Sequence, residues 1–173
     1  MFAPKSIVRL VDAISVKVGQ FVSFFMLIVI GTAFVEIISR YFFNRPTTWS
    51  YELGQMLFGS YFLLVGAYAM RYREHIGMDI VISRFSQRGQ AIINSITFPL
   101  AALFCAVLVW KGGQFAYISI KNLEHSTSVW GPPIYPYKAM LPLAGFLLLL
   151  QVIINFIKDV YLAVTGKHLV EEE

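Results

Sequence analysis

The sequence predicts an all-α membrane protein, with four transmembrane helices and amphipathic surface helices beside them, forming a single membrane domain over residues 1–173. Two observations carry that prediction. Only 14% of the residues are charged, 57% are hydrophobic and mean hydropathy is +0.65, whereas a soluble domain carries about 25% charge. The apolar residues also gather into long runs with polar borders. As helices at ~1.5 Å per residue, such runs are long enough to cross a hydrocarbon core of ~30 Å.

The net charge of +4 does not point to nucleic acid. The basic residues cluster near the apolar spans, where anionic lipid and the positive-inside effect account for them. Membrane lipids are therefore an expected partner and nucleic acid is not. The single cysteine, Cys105, lies in an apolar run. It excludes a disulfide within the chain and a Cys-based metal site, and is expected to be a small buried hydrophobe.

Residues 4–18 come first. Ile7, Val11, Ile14 and Val18 share one helical face, and Lys5, Arg9, Asp12 and Lys17 lie mostly away from it. The pattern predicts an amphipathic helix on the membrane surface, with a mobile tail as the alternative. The first span is expected over 19–41. It is longer than a signal-peptide core and follows a charged segment, so it is expected to be retained. Glu36 and Arg40 stand four apart near its end, acid before base, the favourable order for a helical pair. Either they pair within the helix, or they meet a partner or line an ion path.

The second span is expected over 49–70. Pro46 disfavours helix at Arg45. Glu52 falls in the first turns, where negative charge suits the helix dipole. Trp49 and Tyr51 suit the interfacial aromatic belt. Gly59 and Gly66 are seven apart, which predicts one face open to close helix approach. Arg71 to Gln90 is polar, with Ile80, Val81 and Phe85 as apolar contacts for a short surface helix. Within it, His75, Glu74 and Asp79 lack the spacing of a metal site and are expected to form a polar network.

The third span is expected over 91–110, with Ala101, Cys105, Ala102 and Ala106 at small-xxx-small spacing. The stretch Glu124 to Tyr137 holds Pro132, Pro133 and Pro136, which forbid regular helix. Its Trp130, Tyr135 and Tyr137 suit an interfacial position. Such a segment serves as a wall of the chain's own bundle or as a docking surface. The fourth span is expected over 137–160, with Pro142 inside it.

An even number of spans puts both termini on one side. That side carries Lys5, Arg9, Lys17, the arginines of residues 71–88, Lys158 and Lys167. The other side carries Arg40, Arg45, Lys111, Lys121 and Lys138. The richer side is expected in the cytoplasm.

No phosphate-binding glycine loop, paired cysteines or Ser/His/Asp arrangement stands in the sequence. No span shows the broken helices or internal repeat of a complete carrier. The residues point to an accessory or scaffold subunit and no catalytic residue. A stand-alone oligomeric small transporter and a structural subunit of another membrane complex remain as alternatives.

Read from Arg40, the order R-Y-F-F-N-R-P-T-T-W-S-Y-E-L, then G-A-Y-A-M-R-Y-R-E-H and Asp79, resembles the small membrane subunit (DctQ-like, Q subunit) of tripartite ATP-independent periplasmic (TRAP) transporters. S-V-W-G-P-P-I-Y-P-Y-K and L-P-L-A-G-F-L-L-L-L-Q resemble that family's last loop and fourth helix. The resemblance implies a multi-pass subunit of the bacterial inner membrane in an ion-gradient-driven importer of organic acids. It implies two protein partners, a large M-type membrane subunit and a periplasmic substrate-binding P-type protein. No cofactor is implied for this chain, since sodium is handled by the large subunit. Glu36, Arg40, Trp49, Glu52, Arg71, His75 and Asp79 would orient helices or meet the large subunit. Trp130, Pro132, Pro133, Tyr135 and Tyr137 would face the periplasm, where the binding protein docks.

Overall fold

The computed structural model describes residues 3–71 and 85–166. It is 83% helical, and no strand forms among the described residues. Four helices run in sequence: α1 (Ala3–Tyr41), α2 (Ser50–Arg71), α3 (Gln87–Lys121) and α4 (Tyr135–Thr165). Each contains a stretch long and apolar enough to cross a membrane. The surface helix expected within residues 71–90, with His75 and Asp79, falls mostly outside the described residues.

The expected amphipathic segment is helical, but it is not a separate surface helix. It runs without a break into the first span, because residues 5–18 hold neither Pro nor Gly. Its buried face also differs from the expected one. Val8, Val11, Asp12 and Ser15 are buried, whereas Ile14 is exposed. That face continues the helical period into Gly19 and Val22, so one stripe serves both the first turns and the span. The reason is tertiary. Asp12 hydrogen-bonds with Gln151 and Lys158, and Ser15 with Gln151, all on α4.

The helices pack as two hairpins side by side. Helix α1 lies on α2, α3 lies on α4, and α2 joins the pairs through α4. The first turns of α1 also reach α4, where Val8 and Val11 meet Ile154. The main core, Val22, Leu64, Ala67, Ala144 and Leu147, sits where α1, α2 and α4 converge. Helix α3 touches little else than α4, and the outward faces of α1 and α3 are bare and apolar. Phe24, Leu27 and Phe34 on α1 and Leu100, Phe104 and Trp110 on α3 are all exposed in the isolated chain.

Close approach rests on glycine. Gly59 and Gly66 do share the face expected of them. A Cβ on Gly59 would stand 2.5 Å from the Tyr137 hydroxyl, and one on Gly66 would stand 3.5 Å from Leu148. Both contacts are with α4. The α3–α4 seam uses Gly145, whose Cβ would lie 3.3 Å from the Val109 backbone nitrogen. Of the small residues expected to serve α3, Cys105 is buried and Ala106 is exposed. Pro99 and Pro142 lie inside α3 and α4. Each removes one backbone donor from its helix.

Candidate functional site

The end of the layer that carries α1's first turns holds a buried polar network. Asp12 is its centre. Lys158 Nζ donates to Asp12 Oδ2 at 2.8 Å. Gln151 Nε2 donates to Asp12 Oδ1 at 3.0 Å, and Arg71 Nε stands 3.9 Å from the same oxygen. Ser15 Oγ donates to Gln151 Oε1 at 2.9 Å. Gln151 also reaches Asn155, and Asn155 Nδ2 donates to the Met70 carbonyl at 3.0 Å. Three helices are thereby tied at one level. The Asp12 and Lys158 side chains are 10% and 12% exposed, so the pair is largely desolvated. A charge in that position is tolerated only because its partner and its hydrogen bonds are all present.

The opposite end has two separate carboxylate anchors. Glu36 Oε1 accepts from Arg40 at 2.5 Å. Its Oε2 accepts from the Thr47 backbone N–H at 2.9 Å and from the Thr47 hydroxyl. One side chain thus closes the α1–α2 turn, where Asn44 takes a positive φ of 53° that asparagine tolerates. Ser50 Oγ adds a bond to the Thr32 carbonyl at 2.8 Å, holding the start of α2 against α1.

Glu52 is the second anchor. Ser126 Oγ donates to Oε1 at 3.0 Å and Ser128 Oγ donates to Oε2 at 2.7 Å. The carboxylate therefore grips the loop between α3 and α4. That loop is also bonded to itself. Ser126 N–H donates to the Pro132 carbonyl and Ile134 N–H to the Glu124 carbonyl, both at 2.9 Å. Lys138 Nζ stands 2.6 Å from Glu124 Oε2 and 4.3 Å from the centre of the Phe115 ring. The Lys138 ammonium holds the Glu124 carboxyl below the usual carboxylate range. Beside the loop lies an open cleft of about 500 Å³, walled by Glu52, Gln55, Met56, Ile134 and Tyr137.

Four helices long and apolar enough to cross a membrane, fastened by polar side chains at both ends, fit a membrane-embedded part. The family described as "Tripartite ATP-independent periplasmic transporters, DctQ component" matches residues 28–161. The chain belongs to the DctQ family. It is a small, multi-pass inner-membrane component of a TRAP transporter and works with other subunits of that transporter. DctQ is a transporter component family and not an enzyme family. No curated protein and no solved structure matches the chain.

The residues singled out from the sequence now have positions in this DctQ chain. Glu36 and Arg40 form the intrahelical pair, with Thr47 added. Glu52 binds the loop 74–76 residues away. Arg71 joins the Asp12 network. Trp49 stands half-buried immediately before α2. His75 and Asp79 lie outside the described residues. Of the proline-aromatic group, Trp130 and Pro133 are exposed and Tyr135 is half-buried. Pro132 is buried, and Tyr137 turns inward against Gly59. Those last two residues build the chain's own wall.

Sequence reasoning missed the Asp12 network. The sequence pattern puts Asp12 on the polar side of its helix, and Gln151, Asn155 and Lys158 fall within an apolar span and at its end. A signal was present. Gln151, Asn155 and Lys158 repeat at four and three residues, a polar stripe on one face of α4.

Proposed function

We propose that this DctQ chain is the fixed-depth scaffold of an ion-gradient-driven TRAP importer of organic acids. In this reading it binds the large membrane subunit along its bare apolar flanks. Substrate and sodium are handled by that large subunit, and the periplasmic binding protein docks near the α3–α4 loop. Both termini, and with them the Asp12 network, face the cytoplasm, in keeping with the distribution of basic residues.

The observation that carries the reading is the contrast between fastened ends and bare flanks. Both ends are cross-linked by polar side chains, which resists sliding of one helix past another. The outer faces of α1 and α3 have almost nothing of this chain on them. A carrier that moves needs a neighbour that does not, and helices anchored at both borders by charges and aromatic residues resist vertical displacement.

The test is co-purification from the native membrane after mild extraction, using a tag on this chain. Recovery of a much larger polytopic protein in stoichiometric amount supports the scaffold reading. Recovery of this chain alone as a stable homo-oligomer overturns it.

A further inference from the structure

The α3–α4 loop is built more firmly than a connection requires. Ser126 and Ser128 both spend their hydroxyl protons on Glu52, and each oxygen then accepts in turn. Ser126 Oγ receives the Ser128 N–H at 3.3 Å, and Ser128 Oγ receives the Gly131 N–H at 3.1 Å. Gly131 sits at φ 60°, a left-handed conformation that favours glycine. The chain of bonds runs from α2, through two serines, to the backbone on the far side of the loop tip. That tip is Val129, which is 94% exposed, followed by Trp130 at 41%. A rigid loop thus holds two apolar side chains out from the protein, and the carboxylate that holds it belongs to a different hairpin.

We infer that Glu52 is the positioning residue that presets the Val129–Trp130 tip for the periplasmic binding protein. This rests on the docking reading above and deepens it. Glu52 is not itself a contact for the partner. Both its oxygens are engaged by the loop, and its role is to remove the ordering cost that a floppy loop imposes on every docking event. The clamp also couples the tip to α2, so the tip is referenced to the α1–α2 hairpin as well as to the two helices it connects.

The experiment has a structural and a functional readout. A nitroxide is placed on Val129→Cys in a Cys105→Ala background, and its mobility is measured in the complete reconstituted transporter. Glu52→Ala and the double variant Ser126→Ala/Ser128→Ala should both mobilise the label, and Glu52→Gln, which keeps one of the two acceptor oxygens, should mobilise it less. In transport, the first two should raise the half-saturating concentration of binding protein by roughly five- to tenfold at unchanged maximal rate. The double-serine variant leaves α2 intact, which guards against a general folding defect. A label as immobile in both variants as in the parent overturns the clamp. A mobilised label with unchanged half-saturation leaves the clamp standing and overturns the docking role.

Discussion

The two ends of this helix layer solve one problem in different ways. At the end carrying α1's first turns, one buried carboxylate gathers donors from two other helices. At the opposite end, two carboxylates work separately, each on one turn or loop. The first arrangement is cooperative: Asp12 serves Lys158, Gln151 and Arg71 together, and loss of any one leaves the others mismatched in a dry place. The second is modular. Glu36 closes its turn whether or not Glu52 holds its loop. The difference separates one shared fastening from several independent ones. The network end locks three helices, and the modular end presents loops.

The sharpest way to break the comparison is at Asp12. Asp12→Ala strands a largely buried ammonium and an amide, and should lower unfolding stability in detergent by on the order of 3 kcal/mol. Replacing Asp12 and Lys158 together by leucine should recover more than half of that loss, since much of the cost is the uncompensated charge. Equal damage in the single and double variants would show that the network does not act through charge pairing.

Helix approach comes next. Gly145→Ala pushes a methyl against the Val109 backbone and Leu108 Cβ. It should cost about 1–3 kcal/mol by overpacking, measured in the same unfolding assay. Gly31→Ala is the control, because a Cβ there meets nothing of this chain within 4 Å. It should leave the isolated fold unchanged. If it also lowers co-purification of the large subunit, the α1 flank is the seam.

A smaller effect is expected at the modular end. Glu36→Gln should lower unfolding stability in the same assay by less than Asp12→Ala does and leave the loop label on Val129 unmoved. Movement of that label would show that the two anchors are coupled after all.

The mildest effect is a pH dependence. The Glu124 carboxyl lies below its ordinary range because of Lys138, so its folded form holds its proton less readily than the unfolded chain does. Its contribution is therefore complete above the ordinary carboxylate range and is lost as pH falls through the depressed one. Loop mobility should rise only at acid pH, and Lys138→Met should flatten that rise and leave the loop more mobile already at neutral pH.

Much of the local design was legible. The Glu36–Arg40 pair follows from spacing along one helix, and Gly59 and Gly66 declare a shared face by their separation. Glu52 was legible as a charge at a helix start, but not as a clamp. Its partners stand more than seventy residues away, and serines give no advance sign of which carboxylate they will meet. The proline-aromatic run leaves wall and docking surface both open, and packing decides for Pro132 and Tyr137, which turn inward.

What the sequence by itself determined is the set of four apolar spans, their polar borders and the local pairs along each helix. These depend on composition and on helical period, which act over a few residues and need no knowledge of neighbours. Only the tertiary structure decided which face of α1 is buried, that its first turns join the span, and that Asp12 rather than Ile14 points inward. The physical reason is desolvation. A carboxylate enters a buried junction only where donors from other helices are already aimed at it. Those donors, Gln151 and Lys158, stand 139 and 146 residues along the chain.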